Sequence, residues 1–244
     1  MTVKKWLFLP DSHTPYHDKR AMALIMNKVI PNNRFHGIVV LGDWFDCYLV
    51  STFTKNPQRL ESLKSELKVG FDLLKKLEGM GFKERIFVEG NHERRIPRML
   101  SDKAPEFYEI VMEWWAERFK HWTYVPYMED TSIGKLNITH DVGRSGEHST
   151  KQSLHDYQDN IIVGHNHVLD YSVRASAKGI AHVGASFGWL GDVSKVDYRH
   201  RMKCRRDWAA GFGIGYVRND GIVYVNPKPI VQYSCEVEGK VYVG

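Results

Sequence analysis

The chain has 244 residues, of which 43% are hydrophobic and 26% charged, and a formal net charge of +5. This composition is that of a globular protein able to bury a core, and no apolar run approaches the roughly 20 residues that cross a bilayer. We therefore expect no membrane partner. Three scattered cysteines argue against a disulfide framework and predict a cytoplasmic location.

The first half of the chain alternates short apolar runs with helical patterns, which predicts an α/β layered core. Five runs read as buried strands that end in a polar turn: KWLFLP, GIVVLGD, RIFVEGN, KLNITHD and NIIVGHN. One helix is predicted between the first two runs, with Asp18 as its N-cap. A second is predicted over residues 60–80, where leucine and phenylalanine recur every three or four positions.

The rest of the chain adds one helix and a series of hairpins. Residues 104–127 are predicted to form a single amphipathic helix with an aromatic tail, inserted between two strands. After about residue 170, alternating patterns turn on Asn-Asp-Gly and Glu-Gly pairs, which is typical of antiparallel hairpins. A mixed sheet core with helices outside is therefore expected. We predict one domain over residues 1–244, with a helical and aromatic insertion at about 98–130 near the active-site cleft.

Polar side chains of a restricted kind follow all five predicted strands. In chain order they are Asp11 and His13, Asp43, Asn91 and His92, His140, and His165 and His167. In open α/β sheets, ligands bind beyond the carboxyl ends of the strands. Imidazole and carboxylate groups bind divalent ions such as Mn²⁺, Fe²⁺ or Zn²⁺, and a shared aspartate bridges ions about 3.5–4 Å apart in two-metal hydrolases.

The same residues form a series of motifs that resembles the calcineurin-like metallophosphoesterases. The motifs are DSH at 11–13, GDWFD at 42–46, GNHE at 90–93, TH at 139–140 and GHNH at 164–167. The resemblance implies a layered α/β/β/α sandwich of mixed sheets flanked by helices. It implies two divalent ions, Mn²⁺ in the first place, with Fe, Ni or Zn as alternatives. One ion would be held by Asp11, His13, Asp43 and His167, and the other by Asp43, Asn91, His140 and His165. His92 would act beside the scissile phosphate as general acid or oxygen donor.

Two positions depart from the family pattern. Protein phosphatases of the family continue the GDxxD motif with Arg-Gly, whereas this chain has Cys47 and Tyr48, which argues against a phosphoprotein substrate. Asp141 follows His140 where glycine is common, and it either orients a ligand imidazole or is a turn residue. The letters H-N-H in GHNH do not indicate an HNH nuclease, because that family spreads these residues over a ββα unit.

Several residues are candidates for substrate binding, each with a structural alternative. Arg94, Arg95 and Arg98 form either a phosphate clamp or a solvated helix start. His148 either lines the cleft or belongs to a loop that leads into a helix. The basic run RHRMKCRR at 199–206 either contacts a polyanion or is a solvated loop. An aromatic group is either a base-stacking platform or packing, and it consists of Trp114, Trp115, Trp122, Tyr124 and Tyr127.

The combined pattern predicts hydrolysis of phosphate esters by a metal-bridged hydroxide. Basic charge and aromatic residues favour nucleotide or nucleic-acid phosphodiesters as substrates. A phosphomonoester phosphatase, acting on small molecules or phosphoproteins, is the alternative. A non-catalytic scaffold on the same fold and a single-stranded nucleic-acid binder with incidental metals also stay open. The oligomeric state is not predicted.

Overall fold

The computed structural model of the chain describes residues 3–175, 177–196 and 208–244. The basic run at 199–206, and with it the predicted polyanion contact, lies outside these residues. Within the described ranges, no helix has both the length and the apolar character needed to cross a bilayer.

Short strands and helices alternate along the described chain. The strands are β1 (Val3–Leu9), β2 (Gly37–Val40), β3 (Glu84–Val88), β4 (Thr123–Val125), β5 (Thr131–Ile133), β6 (Leu136–Thr139), β7 (Ile161–Val163), β8 (Leu169–Ala175), β9 (Ala181–Phe187), β10 (Gly211–Arg218), β11 (Val223–Pro229), β12 (Ser234–Val237) and β13 (Lys240–Val243). The α-helices are α1 (Lys19–Leu24), α2 (Leu63–Glu78), α3 (Arg95–Lys103), α4 (Tyr108–Arg118) and α5 (Ser149–Tyr157).

Two mixed sheets contain most of the strands. The first has the order β11-β10-β1-β2-β3-β4, in which β1 to β4 are parallel and β10 is antiparallel to both its neighbours. The second has the order β5-β6-β7-β9-β8, in which β6, β7 and β9 are parallel and the two edge strands are antiparallel. The hairpin of β12 and β13 stands apart from both sheets.

The sheets pack face to face, and helices cover their outer faces. Trp6 and Phe8 of β1 join Ile138, Ile162 and Phe187 of the second sheet in one buried cluster. The alternate residues of β1 and β2 point the other way, where they pack with α1, α2, α3 and α4. On the opposite side, α5 packs on β7. The predicted α/β/β/α sandwich with antiparallel C-terminal hairpins is therefore confirmed.

The first two predicted helices form, with differences at their ends. Asp18 caps α1, since its Oδ1 accepts hydrogen bonds from the Arg20 and Ala21 amides at 2.9 and 3.1 Å. α1 continues as a π-helical turn over Ile25–Val29. α2 begins at Leu63 and not at residue 60, because the Ser62 side chain accepts the Ser65 amide at 3.1 Å and caps the helix there.

Residues 104–127 differ from the prediction of one helix with a tail. A 3₁₀ turn over Pro105–Phe107 precedes α4, and the tail contains β4, which pairs parallel with β3 at the sheet edge. The aromatic side chains mostly pack: Trp115 is buried and its Nε1 donates to the Tyr124 hydroxyl at 3.1 Å. The start of α3 was predicted only as the structural alternative for Arg94, Arg95 and Arg98, and β5 was not predicted. The single domain with an insertion at about 98–130 stays a prediction.

Candidate metal centre

The polar residues after five strands converge where the carboxyl ends of the two sheets meet. The first sheet contributes the residues that follow β1, β2 and β3, and the second those that follow β6 and β7. Contacts between these residues join the two sheets. His140 Nδ1 lies 2.6 Å from the Leu41 carbonyl oxygen, and the His165 amide donates to Asp11 Oδ1 at 3.2 Å.

One donor group consists of Asp11, His13 and His167, all buried. The Nε2 atoms of the two histidines lie 3.1 Å apart, and Asp11 Oδ2 lies 3.2 Å from His167 Nε2. Both histidines have a left-handed backbone, with φ of 49° and 57°. Such values are uncommon for residues other than glycine and concentrate at functional sites.

A second donor group consists of Asp43, His140 and His165. His140 Nε2 lies 3.4 Å from Asp43 Oδ1. Asn91 joins this group, because its Oδ1 lies 2.8 Å from His165 Nδ1 and 3.2 Å from His140 Nε2. The structure thus brings together all seven residues that were predicted as metal ligands, in two neighbouring groups.

The electrostatics of the two groups suit cations. Burial lowers the pKa of His140, but the charge of Asp43 outweighs it and raises that pKa to about 10. Burial also lowers the pKa of His13, but the hydrogen bond that His13 makes to Asp46 and the charge of Asp43 outweigh this effect and raise that pKa to about 8. The aspartates therefore create a negative potential that favours bound positive charge.

The donor atoms also fit a divalent ion chemically. Asp11 Oδ2 is buried and lies 3.2 Å from His167 Nε2, but this contact lacks hydrogen-bond geometry, so within the described part of the chain the oxygen accepts no hydrogen bond. A buried carboxylate oxygen without a partner is costly unless it coordinates a cation. Imidazole nitrogens together with carboxylate and amide oxygens are the ligands of borderline divalent ions.

His92 lies beside both groups and is held by two residues. Its Nδ1 lies 2.8 Å from the Asp46 carbonyl oxygen and 3.3 Å from Asp46 Oδ1. Its Nε2 lies 3.7 Å from Asp43 Oδ2 and 2.8 Å from Arg95 Nη2. Arg95 also donates through Nη1 to the Asp46 carbonyl at 2.7 Å. The arginine thus stands next to the imidazole at the edge of the donor groups.

Asp46, the last residue of the GDWFD motif, is not among the predicted site residues but contacts two of them. Its Oδ1 lies 3.1 Å from His13 Nδ1, so it contacts both a predicted ligand and His92. Burial raises the pKa of Asp46, but the hydrogen bonds from His13 and His92 outweigh it and lower that pKa. The signal in the sequence is the second carboxylate of the GDWFD motif, three residues after Asp43.

Two buried glutamates hold the backbone of the site. Glu93 accepts hydrogen bonds from the amides of Asp43, Phe45 and Gly90, at 3.0, 2.7 and 2.8 Å. Glu66 reaches the next turn from α2 and accepts the amides of Cys47 and Tyr48. Cys47 is buried in a left-handed conformation with φ of 48°, so Glu66 stabilises the turn that follows Asp46.

Replacing Glu66 with Ala is expected to lower the free energy of unfolding by about 2–4 kcal/mol, because two buried amides lose their acceptor. Urea unfolding followed by circular dichroism measures the change. Glu61→Ala is the matched control, because Glu61 is exposed. This substitution should change the free energy of unfolding by no more than about 0.5 kcal/mol. Equal stability of the two variants would show that Glu66 does not hold the turn.

The other candidate substrate residues lie further out. Arg94 and Arg98 are exposed, and among the described residues only Arg95 of the three contacts His92. His148 is exposed directly before α5. Asp141 accepts the Gly143 amide at 2.7 Å and the Tyr127 hydroxyl at 3.1 Å, whereas the His140 ring is oriented by a carbonyl.

Aromatic rings that the sequence did not single out border the first donor group. Trp189 stacks on the His167 ring with centroids 4.9 Å apart, and Trp208 meets it edge-on at 4.4 Å. On the other side of Asp46, the Arg59 guanidinium lies over the rings of Tyr16 and Tyr48 at 4.0 and 4.4 Å. Its Nη1 is 3.9 Å from Asp46 Oδ2. The site is therefore bordered by aromatic rings and two arginines.

Comparison with known proteins gives matches among solved structures alone, since no family model and no curated protein matches the chain. Vps29 of Chaetomium thermophilum is 11% identical with a TM-score of 0.40, over 91% of this chain and 96% of that one. The NAD nucleotidase NadN of Haemophilus influenzae is 11% identical with a TM-score of 0.43, over 92% of this chain. The present chain spans 55% of the length of that nucleotidase. At similarities this low, the fold class rests on the layers and sheet order of the chain itself.

Proposed function

We propose that the chain is a dinuclear metal-dependent phosphoesterase of the calcineurin-like type. One observation carries this proposal: the two donor groups lie side by side at the carboxyl ends of five strands, with His92 next to both. Asp11, His13, Asp43 and His167 would hold one ion. Asp43, Asn91, His140 and His165 would hold the other, so Asp43 would be shared.

The chemistry of such an ion pair suits phosphate esters. Two divalent ions in such a site would polarise a phosphoryl oxygen and lower the pKa of water. The buried Glu93 carboxylate would keep the ligand geometry, because it accepts hydrogen bonds from the backbone amides of Asp43, Phe45 and Gly90. We infer Mn²⁺ as the resident ion, with Fe, Ni and Zn as the alternatives.

His92 and its neighbours would handle the substrate. The Asp46 carbonyl accepts from His92 Nδ1, which leaves Nε2 directed towards Asp43 and the donor groups. Arg95 can only donate to this Nε2 in the present arrangement, so His92 would first take up a proton at Nε2 and then transfer it to the leaving oxygen. Arg95 lies 2.8 Å from the same nitrogen, so its guanidinium would bind a phosphate oxygen at that point. Arg95 would thereby take over the role of the arginine that related phosphatases have at the position of Cys47.

A nucleotide or nucleic-acid phosphodiester is the favoured substrate class. Trp208 is partly exposed beside the first donor group and would stack with a base there, whereas Trp189 is buried and packs against Trp208 and His167. Arg59, fixed over two tyrosine rings, would contact a further phosphate. A phosphomonoester phosphatase is the second candidate, because the donor groups alone serve both reactions. A cytoplasmic location is part of this proposal.

A combined metal and substrate screen tests the proposed activity. The protein is loaded with Mn²⁺, Ni²⁺, Mg²⁺ or Zn²⁺, and each form is assayed with a phosphomonoester, a phosphodiester, a cyclic nucleotide, and single- and double-stranded DNA. We expect turnover of at least one phosphodiester with Mn²⁺, and loss of turnover when a chelator removes the ion.

The screen also separates the rival functions. Faster turnover of the monoester than of every diester would favour the phosphatase. Nucleic-acid binding that weakens with salt, without turnover, would favour the binder. No turnover of any ester with any ion would exclude the enzyme and leave the scaffold.

A further inference from the structure

Helix α4 leaves a line of large apolar side chains in contact with solvent. Its inner face packs on the core through Val111 and Trp115. Beside that face, Phe107, Ile110 and Trp114 are 54%, 66% and 40% exposed. Because these three residues follow one another at intervals of three and four, they lie on one side of the helix and form an apolar stripe. Apolar residues exposed singly are ordinary, whereas a contiguous apolar patch marks an interaction site.

Trp114 is held in a fixed position at the end of the apolar stripe. Its ring meets the ring of Phe71 of α2 edge-on, with centroids 5.8 Å apart, and the Arg118 guanidinium lies over it at 4.9 Å. A partner would therefore lose little conformational freedom of this side chain on binding. Tryptophan is also among the residues that contribute most binding energy at protein interfaces.

An acidic row runs beside the apolar stripe. It consists of Glu106, Glu109, Glu113 and Glu117, all exposed, and residues 106–117 include no lysine or arginine. Glu117 pairs with Lys120 at 2.5 Å, whereas the other three glutamates form no ion pair with a described residue. Each of these three directly precedes a residue of the apolar stripe. Like charges four residues apart destabilise a helix, so the stability of α4 does not explain the acidic row.

A surface groove continues the acidic row towards the end of α3. It has a volume of about 470 Å³ and is lined by Ser101, Pro105, Glu106, Tyr108 and Glu109. The two glutamates offer carboxylate oxygens to a cationic head group, and the ring atoms of the proline and the tyrosine offer apolar contact to its stem. The groove therefore suits the side chain of a lysine or an arginine.

The charge of this surface is opposite to the formal net charge of the whole chain, which is +5. A basic ligand is attracted to the acidic row and repelled by the chain as a whole, so binding would be confined to one place. The same row repels an anionic membrane surface, which argues against lipid headgroups as the ligand.

We propose that α4 docks a basic amphipathic helix of a partner protein. The apolar stripe would bury the apolar face of that helix, and the acidic row would pair with lysine or arginine residues that flank this face. Side chains three and four residues apart form the ridges by which helices pack on one another. Both the apolar stripe and the acidic row have this spacing, so a helix is the expected form of the partner segment.

The docking surface is separate from the candidate metal centre. α4 lies on the outer face of the first sheet, where Phe119 packs on Phe87 of β3 with ring centroids 4.5 Å apart. The donor groups lie beyond the carboxyl ends of the strands. Partner binding therefore needs no bound metal, and treatment with a chelator should leave the affinity for the partner helix unchanged.

Two synthetic helical peptides serve as probes. They share a face of leucines spaced three and four residues apart, which is flanked by lysines in one peptide and by glutamates in the other. Fluorescence anisotropy of the labelled peptides measures binding. We expect the protein to bind the lysine peptide at least about tenfold more tightly than the glutamate peptide, because like charges at an interface are strongly unfavourable. Added salt should reduce this preference.

Variants of α4 and a matched control assign the binding to this surface. Glu106→Lys, Glu109→Lys and Glu113→Lys together should invert the preference, so that the glutamate peptide binds more tightly. Ile110→Ser should weaken binding of the lysine peptide at least about tenfold, since it removes an apolar contact at the centre of the stripe. The matched control combines Glu61→Lys, Glu129→Lys and Glu147→Lys, which change the net charge equally at exposed positions outside α4.

Three results would overturn the proposal. The first is no saturable binding of the lysine peptide to the wild-type protein. The second is an unchanged preference in the charge-reversed variant, and the third is an equal inversion in the control. Circular dichroism checks that the variants fold. If the charge-reversed variant does not fold, glutamine at the same three positions replaces it and should remove the preference without inverting it.

Discussion

Asp43→Asn is expected to remove both metal ions and to reduce phosphoesterase activity by far more than 100-fold. Loss of a residue that only orients a metal ligand already lowers metal affinity or activity by about 10- to 100-fold. Asp43 itself would be a ligand shared by both ions. Burial raises the pKa of Asp43, but the charges of His92 and His140 hold it well below its usual value, so the residue is a carboxylate at neutral pH. Asparagine keeps the shape of the side chain and removes the charge.

The measurement is metal content by elemental analysis, together with turnover of the best substrate from the screen. Asp72→Asn provides a matched control, because Asp72 is exposed on α2 and pairs with Lys68 there. It should keep both ions and full activity. Retention of one ion per chain in Asp43→Asn would show that Asp43 belongs to a single donor group and is not shared.

Much of the fold was predictable because its strands are buried and short. Runs such as IVVL and IFV are apolar throughout, as expected for strands that are covered on both faces. The positions of the candidate ligands followed from the strands, since parallel strands deliver their carboxyl ends to one edge. The structure brings Asp11, His140 and His167 to that edge from two different sheets.

The elements that were missed depend on tertiary contacts. β4 has three residues and forms only because β3 offers it an edge. Its neighbouring aromatic residues follow a helical pattern, and nothing local distinguishes the tail from a helix. The helix predicted from residue 60 begins later because a side-chain cap at Ser62 decides its start.

The same limit applies to the site. A loop separates Glu66 from Cys47 and Tyr48. Nothing in either segment indicates that the Glu66 carboxylate accepts hydrogen bonds from the backbone amides of these two residues. Arg95 and Arg98 look alike in the sequence, yet Arg95 is buried against Asp46 and Arg98 is exposed. Sequence motifs indicate which residues gather, and packing decides which neighbours support them.

His92→Ala is expected to keep both metal ions and to lower the turnover number by about 10²–10⁴-fold, the usual contribution of a proton-transferring side chain. The metal should stay because the His92 backbone amide, which the substitution keeps, donates to Asp43 Oδ1 at 2.9 Å. Arg95 would still be held by the Asp46 carbonyl. The lost group is the imidazole alone.

Turnover and metal content, measured on the same preparation, distinguish a proton-transferring role of His92 from a metal-binding role. His155→Ala is the control, since the His155 side chain is 66% exposed and pairs with Asp156 away from the donor groups. A fall in metal content with His92→Ala would make His92 a ligand. Its ring, His13 and Asp46 have donor atoms close enough together to share an ion, which would then explain the loss. Unchanged turnover with full metal content would assign proton transfer to another group. A leaving group that needs no proton, such as a nitrophenolate, should reduce the effect of the substitution, because His92 would then have nothing to protonate.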